Sequence, residues 1–290
     1  MPGLLGSYDR FRERYEQPIV DGDEEVADRL RAAVGPFILR RLKKDVLKDL
    51  PEKLEQVVFA QMETEQRKLY QGHEQALRHS LAKQDDAAFS QGKLQVLAEL
   101  TRLRQICCDP SLLFEDYDGG SCKLDAIMEL ISSAMDSQQK VLVFSQFTSY
   151  LALIAEELDR RDVAYFTITG ATPKRRRLDL VDTFNGDDTP VFLVSLKAGG
   201  TGLNLVGASV VIHADPWWNA AAQNQATDRA HRIGQKRNVS VYKVIARDTI
   251  EERILALQEL KSDLADQVVG EGGGLSLASL KKEDLIELLG

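Results

Sequence analysis

The hydrophobic pattern changes part-way along the chain. Up to about residue 113, apolar residues recur every three or four positions, as in EQRKLYQGHEQALRHSL (65–81) and KLQVLAELTRLRQIC (93–107). This spacing predicts amphipathic helices. One stretch, EQVVFAQM (55–62), has an extended pattern instead. After EDYDGGS (115–121), short apolar runs alternate with amphipathic segments.

Five of these short runs predict buried strands. They are apolar throughout and rich in β-branched residues, and helical patterns separate them, which is typical of a parallel sheet covered by helices on both faces. The runs are KVLVFS (140–145), VAYFTI (163–168), PVFLVS (190–195), SVVIHA (209–214) and VSVYKVI (239–245). We therefore expect an α/β fold preceded by a mainly helical region.

Several helix ends carry recognisable signals. Asn219 is a candidate N-cap and Gly234 a candidate C-terminal stop for one helix. Thr249 and Glu252 have capping-box spacing before the pattern IEERILALQELKSDLADQVV (250–269). DEEV (23–26) has no apolar strand before it, so it predicts a helix start and not a metal-binding acidic motif.

Composition narrows the classes of function. The chain has 290 residues and a formal net charge of −8, so indiscriminate binding to nucleic acid is not expected and any such claim needs particular residues. No run predicts a membrane span or a secretory signal. The three cysteines, Cys107, Cys108 and Cys122, lack C-x-x-C spacing and are expected to be reduced thiols.

Two loops after predicted strands carry candidate chemistry. LKAGGTGLN (196–204) contains glycines that allow a backbone to approach phosphate closely, although such loops are often only turns. QATDRAHRIGQ (225–235) places four polar residues at i, i+3, i+4 and i+7, which on a helix form one stripe: Gln225, Asp228, Arg229 and Arg232. That stripe is either a solvated surface or a site. The P-loop pattern G-x-x-x-x-G-K-[ST] is absent from the sequence.

Taken in order, these segments resemble the motifs of the Swi/Snf-type helicase-like ATPases, DNA translocases of helicase superfamily two whose motor has two RecA-like lobes. QATDRAHRIGQ is similar to the last helicase motif of the family, Q-x-x-x-R-x-x-R. The resemblance covers nearly the whole chain. The other similar segments are PGLLGSYDRFRERYEQPI (2–19), FILRRLKKDVLKDLPEK (37–53), KVLVFSQFTSYLALI (140–154), ITGATPKRRRLDLVDTFN (168–185), LVSLKAGGTGLNLVGASVVIHADPWWN (193–219) and TIEERILALQELK (249–261).

The resemblance implies roles for individual residues. Arg229 and Arg232 correspond to arginine fingers, in agreement with the permanent charge and forked geometry of a guanidinium. Contacts to the nucleotide fall on Gln225, Gly202 and Asn204. Contacts to DNA phosphates fall on Ser145, Gln146, Phe147, Arg177, Lys197, Gly199, Gly200 and Thr201, where backbone N–H groups, a hydroxyl and a lysine suit a grip that does not depend on sequence.

Other residues of these motifs have plainer interpretations. Trp217 and Trp218 are expected to pack near the cleft, and His231 to be structural. The run from Lys174 to Arg176 either grips phosphates or is a solvated helix face. Two departures from the family pattern, Ala220 after WWN and GATP (170–173), leave the arginines untouched.

The resemblance also implies an organisation and partners. It divides the chain into the tail of the first lobe with the inter-lobe link (1–55), a helical insertion (56–120), the second RecA-like lobe (121–270), and a flexible linker with a short helical tail (271–290). The implied cofactor is ATP with Mg²⁺, held mainly by the P-loop and acidic motif of the first lobe, so the chain alone is expected to be inactive.

The expected partners are double-stranded DNA, the first lobe of the same protein and a DNA-bound protein to be displaced, with no membrane. The expected location is the cytoplasm, at the nucleoid, in a bacterium, and the nucleus in a eukaryote.

Two alternatives stay open from the sequence. A DEAD-box RNA helicase also contains HRIG in its last motif, but Gln235 and DPWWN (215–219) do not fit that group. A non-catalytic interaction module would instead bury Arg229 and Arg232 in internal salt bridges.

Overall fold

The computed structural model describes residues 5–20, 23–34, 50–199, 202–258 and 282–289. They belong to two compact units, with residues 5–34 in the first and the remaining described residues in the second. Residues 35–49, which include most of the expected link between the lobes, lie outside the described residues. So do the GEGGG segment and the part beyond residue 258 of the helix predicted at 250–269. Within the described part of the chain, no helix is long and apolar enough to cross a membrane.

The first unit contains short helices. They are α1 (Tyr8–Phe11), a π-helical turn (Arg12–Glu16), α2 (Gln17–Val20) and α3 (Glu24–Val34). The Asp23 carboxylate accepts a hydrogen bond from the Val26 N–H at 3.1 Å, as an N-terminal cap does. The prediction that DEEV begins a helix is confirmed.

The second unit is built on a six-stranded sheet of order β1-β6-β5-β2-β4-β3, in which each neighbouring pair is parallel. The five apolar runs are confirmed as strands. The strands are β1 (Lys53–Ala60), β2 (Val141–Ser145), β3 (Tyr165–Ile168), β4 (Val191–Ser195), β5 (Val210–His213) and β6 (Val239–Ala246).

The sixth strand, β1, comes from the extended stretch before the helical insertion. It pairs with β6 along its whole length, from Lys53 opposite Val239 to Ala60 opposite Ala246. The strand crosses the domain boundary expected at 55/56, and its hydrogen bonds place all of it in the sheet of the lobe.

Helices occupy both faces of the sheet, as the apolar strands predicted. The helices are α4 (Thr64–Lys83), α5 (Asp86–Cys108), α6 (Cys122–Asp136), α7 (Thr148–Arg160), α8 (Lys174–Gly186), α9 (Leu196–Gly199), α10 (Ala220–Thr227), α11 (250–258) and α12 (Lys282–Leu289), with a 3₁₀ turn at Pro110–Leu112. One core cluster joins α6 and α7 to the Val141 side of the sheet, and another joins α8 to the Leu142 side. A third cluster holds the long helices α4 and α5 against α11 and α12.

Helix ends follow the predicted signals with one change. The Asn219 side chain accepts hydrogen bonds from the N–H groups of Ala221 and Ala222, which confirms the N-cap of α10. At α11, the Thr249 hydroxyl accepts from the Glu251 N–H at 3.2 Å, and the Glu252 carboxylate accepts from the Asp248 N–H at 2.8 Å. These two bonds replace the reciprocal Thr249–Glu252 capping box.

The three cysteines are free thiols. Cys107 and Cys108 are buried and Cys122 is half-buried. Burial raises the pKa of all three thiols, which keeps them in the neutral form.

Candidate functional site

The loops that carry the candidate residues leave the sheet at its carboxyl edge. Strand β2 is bonded to β4 on one side and to β5 on the other, with Ser145 opposite Ser195 and Phe144 opposite His213. The loops that follow these three strands therefore leave the sheet at the same edge, where ligands gather in open α/β folds.

The glycine-rich loop follows β4. Lys197 is exposed at its start, and Gly199 closes the short helix α9. Gly200 and Thr201 lie outside the described residues. Gly202 is exposed and has φ of +65°, a left-handed conformation that favours glycine.

Side-chain amides fasten the rest of this loop. Asn204 is exposed, and its carbonyl accepts a hydrogen bond from Asn185 Nδ2 at 2.7 Å. Asn185 Oδ1 accepts from the Gly207 N–H at 2.9 Å. Gln235 Nε2 donates to the carbonyls of Val206 and Ala208 at 3.1 and 2.8 Å. The loop is therefore attached to α8 and to the segment that follows the arginines.

The arginines do not lie on a helix, which corrects the predicted four-residue stripe. Helix α10 ends at Thr227, and residues 228–234 form turns and bends. The helix ends in two i→i−3 hydrogen bonds, from the Arg229 N–H to the Ala226 carbonyl and from the Ala230 N–H to the Thr227 carbonyl, both at 3.0 Å. The Leu205 N–H donates to the Arg229 carbonyl at 3.0 Å, and Gln235 Nε2 donates to the Ala230 carbonyl at 3.1 Å. Gly234, with φ of +103°, belongs to a later turn and does not stop the helix as expected.

The structure brings Arg229 and Arg232 close enough for their charges to interact. Arg232 is exposed and Arg229 is half-buried, with a buried Nε that has no hydrogen-bond partner. Burial lowers the pKa of Arg229, the charge of Arg232 lowers it further, and Asp228 opposes the change. Among the residues that the structure describes, neither arginine forms a salt bridge. Gln225 is exposed one turn earlier, on α10.

The loop after β2 differs from expectation at Ser145. This residue is fully buried, and its hydroxyl donates to Asp215 Oδ2 and accepts from the Phe147 N–H at 3.0 Å. The hydroxyl is therefore not available to DNA, and we correct the expected role of Ser145 to that of a positioning residue. Gln146 and Phe147 are half-buried, and the Gln146 N–H donates to Asp215 Oδ2 at 3.1 Å.

The basic run on α8 also divides differently from expectation. Arg177 is half-buried, and its guanidinium donates to the carbonyls of Thr172 at 2.7 Å, Gly170 at 3.0 Å and Thr169 at 3.3 Å. These bonds hold the loop between β3 and α8. The exposed cations of the run are the other three, Lys174, Arg175 and Arg176.

The two tryptophans differ in burial, and Trp217 is half-buried. Trp218 is buried, and the Arg104 guanidinium lies 5.7 Å from the centre of its ring. His231 Nε2 is 2.8 Å from the Pro51 carbonyl, a structural hydrogen bond to the segment before β1.

The polar residues that hold the site loops were not predicted from the sequence. Arg104 and Asp215 form a buried ion pair behind the loop after β2, and Gln235 and Asn185 fasten the loop after β4. The available signals were an aspartate placed directly after an apolar strand and an arginine on an otherwise apolar face of α5.

Comparisons with known proteins agree with this geometry. Residues 1–112 match the family described as SNF2-related domain, and residues 122–234 match the helicase conserved C-terminal domain. A putative ATP-dependent helicase/translocase YwqA of Bacillus subtilis is 38% identical over 99% of this chain and 32% of its own length. The human SWI/SNF-related matrix-associated actin-dependent regulator of chromatin subfamily A member 1 is 33% identical over 100% of this chain and 29% of its own length.

Among solved structures, the Sulfolobus solfataricus SWI2/SNF2 ATPase core in complex with dsDNA is 33% identical, with a TM-score of 0.67 over 98% of this chain and 61% of that one. The chain spans 27–32% of the length of the first three curated relatives that it matches. The two matched families agree with the observed fold, a RecA-like lobe preceded by a helical region. The chain belongs to the Swi/Snf-type helicase-like ATPases of superfamily two.

Proposed function

We propose that this chain supplies the second motor lobe of an ATP-dependent translocase on double-stranded DNA. The observation that carries the proposal is the pair Arg229 and Arg232, two neighbouring cations without a salt bridge among the described residues, in the segment that joins α10 to β6. An internal salt-bridge network at these residues would have favoured the interaction module, and the two arginines form none there.

The residues fit a polyphosphate. A guanidinium stays charged at any physiological pH and offers several donors in a plane, which matches phosphate oxygens. Arg232 is exposed, so its guanidinium is accessible to an anion. ATP with Mg²⁺ supplies the phosphoanhydride bond, and Arg229 and Arg232 stabilise negative charge as that bond breaks. We also propose nucleotide contacts for Gln225, Gly202 and Asn204.

DNA contact is proposed for the neighbouring loops. The support is the similarity to a Sulfolobus solfataricus ATPase core whose structure contains double-stranded DNA. Lys197 is exposed at the carboxyl edge and suits a phosphate, as do the exposed cations Lys174, Arg175 and Arg176. Gln146 and Phe147 remain proposed contacts, and so do Gly199, Gly200 and Thr201. Arg177 and Ser145 act by positioning in this proposal.

The organisation of the intact motor is also a proposal. Residues 1–55 carry the tail of the first lobe and the link, although residues 53–60 also form β1 of the second lobe. The first lobe holds most of the ATP and Mg²⁺, so we expect the isolated chain to hydrolyse no ATP. The work of the motor is to displace a DNA-bound protein, in the nucleoid or the nucleus.

The test is DNA-stimulated ATP turnover of the longer protein that includes the first lobe. Arg232→Ala should lower turnover by on the order of a thousandfold, because one guanidinium is lost from the transition state, while DNA affinity is largely kept. Arg160→Ala is the matched control. It removes an exposed arginine at the end of α7 that pairs with Glu157 of the same helix.

Unchanged turnover in Arg232→Ala would show that this arginine is not a finger. Absence of DNA-stimulated turnover in the wild type would favour the interaction module.

A further inference from the structure

One buried ion pair joins the helical insertion to the lobe. Arg104, on α5, is 2% exposed and Asp215, just after β5, is fully buried. Arg104 Nη2 lies 3.2 Å from Asp215 Oδ1. Removing two charges from water costs several kcal/mol per ion, and a pair of apolar side chains often stabilises a fold equally well. Stability alone therefore does not account for this pair.

The second oxygen of Asp215 reaches the neighbouring strand. Asp215 Oδ2 accepts hydrogen bonds from the Gln146 N–H at 3.1 Å and from the Ser145 hydroxyl. The carboxylate thus holds the end of β2 with one oxygen and α5 with the other. The loop that it holds contains Gln146 and Phe147, which are proposed to contact DNA.

Arg104 has further contacts on both loops. Its Nη2 also donates to the Pro216 carbonyl, and its guanidinium carbon lies 5.3 Å from the centre of the Phe147 ring and 5.7 Å from that of Trp218. Phe147 belongs to the loop after β2, whereas Pro216 and Trp218 belong to the segment that leads from β5 to α10. A guanidinium is planar, so it can lie flat on a ring while its donors point outward in one plane, a geometry that an ammonium group does not have.

We infer that Arg104 is a positioning residue that fixes the loop at Gln146 and Phe147 relative to the segment that leads through α10 to the arginines, so that DNA contact alters ATP turnover. This inference rests on the proposed function. The arginine segment is also held independently by Gln235 and by the Leu205 N–H. Loss of Arg104 should therefore spare turnover without DNA and reduce its stimulation by DNA.

The first measurement is the ratio of ATP turnover with and without DNA in the longer protein. In Arg104→Lys, which keeps the charge and loses the planar fork, we expect this ratio to fall by on the order of tenfold, since small displacements of reacting groups have effects of at least this size. The KM for ATP and the turnover without DNA should stay within about twofold of wild type, because the arginine segment keeps its other bonds.

Two paired substitutions keep the test decisive if Arg104→Lys folds poorly. Arg104→Met with Asp215→Asn removes both charges, leaves no buried charge unpaired, and should lose the stimulation while folding. Lys123→Met with Glu251→Gln is the matched control. It removes another fully buried pair, joined at 2.7 and 2.9 Å, whose hydrogen bonds hold the Ala246 N–H and not the loop after β2. This control should keep the stimulation.

A second measurement does not need turnover. Amide hydrogen exchange in residues 141–150 and 214–222 of the longer protein should change in both segments when DNA binds the wild type, and only in 141–150 for Arg104→Lys. Coupled changes in the variant, or full stimulation in a folded variant, would overturn the inference. Equal loss of stimulation in the Lys123–Glu251 control would overturn it as well, since packing alone would then be the cause. No turnover in the wild type, with DNA-coupled exchange present, would count against the proposed ATPase and not against the positioning role.

Discussion

Arg229 and Arg232 are the two residues on which the proposed activity depends most. Like charges close together repel, and partial burial of Arg229 adds a desolvation cost that lowers its pKa. Neither charge is balanced by a salt bridge within the described part of the chain, so the arrangement costs stability. Functional sites often retain such a cost because the missing partner is a ligand. An anionic ligand between these two guanidinium groups would remove it.

Glu55 provides a prediction about pH. Burial alone would raise its pKa, but Lys53 at 2.6 Å and Lys243 at 3.0 Å outweigh burial and lower the pKa from 4.5 to about 2. The folded state therefore holds a proton less tightly than the unfolded state. The stabilisation is fully present above about pH 4.5 and is lost as the pH falls towards 2.

In Glu55→Gln, we expect the free energy of unfolding at pH 7 to fall by about 1 kcal/mol, a modest value because the side chain is 31% exposed. The difference from wild type should shrink in 1 M salt and should disappear near pH 2. Thermal unfolding across this pH range measures it, with the exposed Glu65→Gln as control. A difference that persists at pH 2 would contradict the assigned cause.

At the scale of elements, the loop after β4 and the arginine segment act as one structural unit. Gln235 is buried, and its amide nitrogen donates to the carbonyls of Val206, Ala208 and Ala230. Its amide oxygen accepts from the N–H groups of Lys236 and Arg237, both at 2.9 Å. Removal of the side chain would take a partner from each of these backbone groups, and the Ala230 carbonyl would keep its bond from the Arg232 N–H at 3.3 Å.

Gln235→Ala should lower the free energy of unfolding by about 2 kcal/mol, because several buried backbone groups are left without partners. In the longer protein it should also lower ATP turnover, since the Leu205 N–H alone would then attach the segment of Arg229 and Arg232 to the loop. Denaturant unfolding and turnover assays measure the two effects, with the exposed Gln71→Ala as control. Wild-type turnover in a destabilised Gln235→Ala protein would show that the attachment serves stability alone.

At the scale of the whole molecule, the sequence predicted what depends on local pattern. Strand β2 is apolar at its first four positions and fully buried, so its place in a covered parallel sheet could be inferred without knowing its neighbours. The N-cap at Asn219 was equally local. The family resemblance then supplied the hypothesis that Arg229 and Arg232 are arginine fingers, a role that composition and spacing alone left open.

Contacts between distant residues were not predictable in the same way. Strand β1 pairs with β6 across nearly two hundred positions. The segment that carries the arginines is bonded to Leu205, in a different loop. The hydroxyl of Ser145 was expected to contact DNA, because nothing near it in the sequence indicates its partner Asp215, 70 positions away. In each case a distant partner, absent from the local pattern, decides the conformation.

The most direct test of the account measures binding of a transition-state mimic. In the longer protein with DNA bound, wild type should bind ADP with aluminium fluoride about a hundredfold more tightly than ADP alone. Arg232→Ala should lose most of this preference while its Kd for ADP changes little, because the guanidinium contacts charge that develops only during phosphoryl transfer. If Arg232→Ala keeps the wild-type preference, Arg232 does not act on the transferred phosphoryl group and the central claim is wrong.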